Sequence, residues 1–279
     1  MKRTARLVVL LAVGAALLST AGCNKLKARD QLNKGVQAYR GANYEQAIEH
    51  FKNAVYLDGD LKVAKMYLAT AYAQQYVPGV DTPDNVRNAQ QAVDEYKKVL
   101  ENDPGNVTSL KGIAFLYMQQ KKFDDAREYY KKAIDADPND PETYYSVGVI
   151  DWSATYQDAA KFKADAGMKV EDELKGKGDQ KLCDQLRTKD GVAVDEGMKM
   201  LQAAIDKRQD YDDAMTYMNL LYRRKANDMT CDDAQTRAEY VKTANEWIER
   251  AMASRKKKAE EAAKKTTGGI YLEPTPQKN

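Results

Sequence analysis

VTSLKGIAFLYMQQKKFDDAREYYKKAIDADPND, residues 107–140, holds two short amphipathic patterns back to back. In the first, Leu110, Ile113, Ala114, Tyr117 and Met118 are apolar at i, i+3, i+4, i+7 and i+8. Ala126, Tyr129, Tyr130, Ala133 and Ile134 repeat that spacing. Each set predicts one buried stripe on a helix. Gln119–Lys122 is polar enough for a turn between them. Asp137-Pro138-Asn139-Asp140-Pro141 stops the second helix and starts another, with Asp140 as cap and Pro141 at the first helical position. The same helix–turn–helix unit recurs along the chain.

The composition agrees. Tyr outnumbers Phe 18 to 4 in 279 residues, Ala is abundant and β-branched runs are few, which favours helices over strands. The fold class is all-α: a helical-repeat solenoid of about five helix pairs with inserted loops.

Residues 1–22 read as an export signal. Lys2, Arg3 and Arg6 form the basic start, Leu7–Leu18 the apolar run, and Ser19–Gly22 the small-residue end. A membrane-spanning helix is the rival reading, but roughly a dozen apolar residues fall short of the about 20 needed. Removing the signal takes the formal charge from +2 to −1. A near-neutral mature chain gives no electrostatic reason to expect nucleic acid.

Thr20-Ala21-Gly22-Cys23 resembles the bacterial lipobox, with Thr20 where that family usually has Leu. The resemblance implies lipidation of Cys23, palmitate included, and cleavage before it. Two or three acyl chains hold a protein on a membrane where one does not. Asn24 after the cysteine implies the outer membrane, with the fold facing the periplasm. An ordinary signal with a chance cysteine is the alternative. Residues 23–27 then read as the anchor linker. Cys183 and Cys231 remain; in an oxidising compartment so sparse a pair suggests one disulfide, the alternative being two buried free thiols.

Along residues 28–265, the pattern at Val107–Asp140 resembles the tetratricopeptide repeat. The 34-residue period places Leu110, Ala114, Tyr117, Ala126, Tyr130, Ala133 and Pro138 on the family's signature positions. Gly35, Ala47, Phe51 and Ala54 match in the first repeat, and Ala69, Tyr72, Ala92, Tyr96 and Pro104 in the second. The fourth and fifth depart, with Gly197 for an alanine and Asp151 for an aromatic. Inserts are expected at 77–87, 153–192 and 225–237. The middle one reads as a helix extension, a flexible loop and a short helix near Leu182–Leu186. Residues 266–279 read as a disordered tail.

The resemblance implies stacked helix pairs and a groove lined by first helices. By repeat position, its binding candidates are Tyr39, Met66, Lys111, Phe115, Tyr145, Trp152, Arg223 and Arg224. Packing against neighbouring helices is the competing role for several of them. Lys111 alone fits the carboxylate clamp that some members use, so that specificity is not carried over.

Catalytic and metal signatures are missing from the sequence. His50 is the single histidine, and no phosphate-binding glycine loop occurs. No enzyme, cofactor or metal is expected. The expected function is a lipid-anchored scaffold for protein or peptide partners in envelope or outer-membrane complex assembly. The alternative is a binding module for an envelope glycan or lipid.

Overall fold

The computed structural model describes residues 23–267. The signal segment 1–22 and most of the expected tail, 268–279, lie outside the described residues. Ten helices and no strand are found among the described residues. They divide between two compact units, Met1–Asp137 and Pro138–Asn279.

Unit one holds α1 (residues 23–40), α2 (Tyr44–Leu57), α3 (Lys62–Gln75), α4 (Pro83–Asn102), α5 (Val107–Gln119) and α6 (Phe123–Ala136). Local chemistry sets the helix starts. The Asn43, Thr82 and Asn106 side chains accept from backbone N–H groups of the first turns of α2, α4 and α5, which have no intrahelical acceptor. The predicted stripes bury Leu110, Ile113 and Ala114 on α5 and Ala126, Tyr130 and Ala133 on α6. Consecutive helices pack together, and α3 also touches α5, so first helices form one wall. Gly35 is required by close approach: a Cβ there would sit 2.5 Å from Phe51 Cε1.

Unit two holds α7 (Pro141–Asp165), α8 (Gln180–Lys207), α9 (Asp212–Asp228) and α10 (Ala234–Thr267). Asp140 caps α7 and Pro141 opens it, as expected. α7 packs on α8 and α9, and α9 on α8 and α10. A Cβ on Gly148 would lie 2.5 Å from Leu201 Cγ and 3.2 Å from the Gly197 carbonyl oxygen, so α7 and α8 meet nearly backbone to backbone.

The segment boundaries differ from those expected. Residues 23–27 are the first turns of α1, not a linker. Of the 77–87 insert, residues 83–87 belong to α4, and the coil before it is tied down by Asn85. That side chain accepts from Val77 N (2.7 Å) and donates to the carbonyls of Val77 (2.8 Å) and Val80 (2.6 Å). Within 153–192 only residues 166–179 are loop. No separate short helix exists at Leu182–Leu186; α8 runs unbroken from Gln180 to Lys207. Its buried stripe is Cys183, Leu186, Asp190, Val194, Gly197 and Leu201, and the aspartate in the middle concealed it. Most of 225–237 is likewise helix, with only 229–233 between α9 and α10. Thr266 and Thr267 continue α10. No described helix is long and apolar enough to cross a membrane.

Candidate functional site

The eight groove candidates fall four in each unit. In unit one, Tyr39 packs against the core, edge-on to Tyr44 and Tyr67 at 5.4 and 6.1 Å between centroids. Burial pushes its phenol above the ordinary range. Met66 is half-buried on α3, its sulfur 3.9 Å from Ser109 Oγ of α5. Lys111 is half-buried on α5. Phe115 is 48% exposed, and of the four it presents the most apolar surface.

Unit two assembles an extended feature. Tyr145 and Trp152 both meet Tyr217 of α9, at 5.7 and 5.3 Å, nearly edge to face. Trp152 stacks on Tyr156 at 5.2 Å, and Tyr145 leans on Tyr211 at 5.0 Å. Five rings therefore run in unbroken contact, Tyr156–Trp152–Tyr217–Tyr145–Tyr211, from α7, α9 and the residue that precedes α9. Such pairs contribute about 0.5–1.5 kcal/mol each beyond area burial. Tyr211 is buried and donates to Glu142, which Arg208 also holds at 2.7 Å. Burial opposes ionisation of Glu142, yet these two donors keep its carboxyl below the usual range. Tyr145, Trp152 and Tyr217 are half-buried, and Tyr156 is 39% exposed. Burial, then Tyr217 and the carboxylates Asp213 and Glu142, raise the Tyr145 phenol, so it stays protonated as a donor.

Tyr156, Tyr211 and Tyr217 were not among the expected candidates. Tyr145, Trp152 and Tyr156 do share one helical face by spacing, which is a readable signal. The two tyrosines near α9 complete the row only through packing between helices.

Arg224 lies at the buried floor of a cleft rather than on an open face. It is 6% exposed, inside a buried ionic cluster. Its guanidinium pairs with Asp228 and with Asp190 at 3.3 Å, and donates to the Thr155 carbonyl. Lys163 of α7, with no exposed surface, completes the cluster through Asp228 and donates to the carbonyls of Val170 (2.8 Å) and Asp172 (2.6 Å). Buried charges require such pairing. Burial outweighs the nearby Arg224 charge at Asp190 and pushes its carboxyl up to about 6. Arg223, the neighbour on α9, is exposed and donates to Asn245 Oδ1 at 2.9 Å.

The cluster pins the 166–179 loop as a strap beside the rings. Leu174 N donates to the Asn227 carbonyl at 2.8 Å, and Arg237 donates to the Leu174 carbonyl at 2.6 Å. Cys183 and Cys231 form a disulfide with 5.6 Å between Cα atoms, packed with Ala159, Leu174 and Leu186. Between strap and rings lies a cleft of about 210 Å³, lined by Trp152, Tyr156, Val170, Glu171, Leu220 and Arg223 among others. Among the described residues no group of acidic, histidine and cysteine side chains could hold a metal. Cys23 is exposed with a free thiol.

Residues 87–147 match the family model of the tetratricopeptide repeat. That segment carries the tetratricopeptide repeat. Two solved structures of MamA are similar to it. MamA 41-end from Desulfovibrio magneticus RS-1 gives a TM-score of 0.55 at 16% identity, over 83% of this chain and 96% of that one. A structure titled MamA protein gives 0.55 at 12% identity, over 89% and 98%. At these identities the likeness shows the all-α repeat fold alone. No curated protein sequence matches the chain. Tetratricopeptide arrays are binding scaffolds for other proteins, which fits a non-enzymatic interaction module.

Proposed function

We propose that this chain is a lipid-anchored, periplasm-facing tetratricopeptide scaffold. It binds protein partners through its first-helix faces during assembly of an envelope or outer-membrane complex. The observation that carries the binding role is the aromatic row on α7 and α9. Four of its five rings keep solvent-facing surface that no neighbouring helix covers. Large rigid rings are what protein interfaces use as anchors. The anchor rests on the lipobox resemblance at Thr20–Cys23, and Cys23 stands exposed at the start of α1.

Crosslinking in intact cells, followed by mass spectrometry, tests the scaffold. The expected result is a protein partner joined at unit-two first-helix positions and lost in Trp152→Ala. Recovery of no protein above background would count against it. A glycan is the competing ligand class, because half-exposed Trp152 and Tyr156 also suit a sugar face. Retention on isolated peptidoglycan that disappears in Trp152→Ala would favour that class instead.

A further inference from the structure

We propose that the aromatic row of unit two is a docking strip for an uncharged, proline-rich peptide in the polyproline II conformation, a proposal that rests on reading this face as a binding face. Three observations lead there. The first is geometric. Tyr145 and Trp152 are seven residues apart on α7, about 10.5 Å at 1.5 Å per residue. One turn of polyproline II is three residues, about 9.3 Å. Tyr217 sits between them from α9, touching both. From Tyr145 to Tyr156 the strip spans about 16 Å, the length of roughly five residues in that conformation.

The second is hydrogen bonding. Among the described residues the Trp152 indole N–H and the hydroxyls of Tyr145, Tyr156 and Tyr217 make no hydrogen bond. None is a buried orphan either, so each faces water. A polyproline II chain has no internal hydrogen bonds and presents bare carbonyls between its rings. Aromatic faces take the pyrrolidine rings and the donors take the carbonyls, the division of labour seen in grooves that read such segments.

The third is charge. Most charges beside the strip are already paired. Glu142 pairs with Arg208, and Asp213 with Arg255. Lys163 and Arg224 pair with Asp228 and Asp190. Arg223 and Glu171 line the same cleft with opposite signs. The electrostatic complement of this surface is a neutral ligand. The cleft of about 210 Å³ at the Tyr156 end receives one apolar side chain.

The test uses the full chain carrying Trp247→Phe, which leaves Trp152 as the single indole reporter, since the chain has 2 tryptophans. The probe is hexaproline capped with acetyl and amide groups. Controls are a capped Gly/Ser hexapeptide, proline peptides flanked by glutamates or by lysines, and chitotriose. The expected result is a saturable shift of the Trp152 indole N–H resonance with hexaproline and none with the Gly/Ser peptide. Affinity should change less than about twofold between low and high salt, because few counterions are displaced. Tyr217→Ala and Tyr156→Ala should weaken binding about tenfold. Tyr145→Phe, which removes only a hydroxyl, should weaken it about threefold to tenfold with helicity unchanged.

No saturable shift with a folded chain would overturn the proposal. So would equal response to the Gly/Ser peptide, preference for a charged peptide with steep salt dependence, or a response to chitotriose alone. Failure here with a protein still crosslinked at these helices would refute the ligand class and leave the scaffold standing. Failure of both would remove the binding face itself.

Discussion

Lys163 and Arg224 carry two charges into the interior of unit two. Their value is positional. Lys163 takes its Nζ to two strap carbonyls and to Asp228, so one side chain joins α7, the strap and α9. Removing one partner of a buried pair leaves an uncompensated charge, at a cost of about 3–5 kcal/mol. Asp228→Ala should therefore lower the urea-derived stability by about that amount. An unchanged midpoint would show that the cluster holds nothing. Asp190 gives the pH dependence. Its ordinary value is 3.8 and its folded value is about 6, so the folded state holds the proton more tightly. Its contribution is full below about pH 4 and is lost as pH rises through about 6. The stability difference between wild type and Asp190→Asn should fall by roughly 3 kcal/mol across that window, read by denaturant titration at several pH values. None of these charges was legible as a site residue. Arg224 by its repeat position reads as an open groove side chain, and only the packing of α8 and α7 around it shows that it is buried in an ionic cluster.

At the scale of elements, two joints decide how unit two is put together. Gly148 lets α7 and α8 approach, and its partner Leu201 fills the space a Cβ would take. Gly148→Ala should cost about 1–3 kcal/mol through overpacking, measured by thermal or urea unfolding. A neutral result would mean that the helices slide apart without loss. The disulfide is the second joint, closing a loop with sequence separation 48 between α8 and the α9–α10 turn. Loop-closure entropy for such a span is about 4 kcal/mol. Cys183→Ser with Cys231→Ser should lower stability by up to that amount and speed proteolysis of the strap, seen as early cleavage within 166–179. Two cysteines far apart in sequence were legible as a pair by compartment and count. The elements they join were not, because Asp190 breaks the apolar stripe of α8 and makes one long helix read as a loop and two pieces.

For the whole molecule, the prediction concerns where it resides. Cys23→Ala should abolish palmitate labelling and move the chain from the membrane fraction to the soluble one. Labelling that persists would refute the lipid anchor. The repeat architecture and the proposed anchor at Cys23 are both local statements. Apolar spacing of three and four, prolines at helix starts, small residues at close approaches and an apolar segment before Cys23 are all read within a few turns of chain. That is why the recurrence of helix pairs and the stripes of α5 and α6 were determined by the sequence alone. Tertiary structure alone decided what long-range packing brings together. The inserts of unit two turn out to be mostly helix, and α7, α8 and α9 bury charges against one another there. The row from Tyr156 to Tyr211 exists because rings from α7 and α9, some seventy residues apart, meet edge to face. Neighbours in sequence carry local propensity. A binding surface depends on which side chains the packed helices leave uncovered, and no local pattern encodes that.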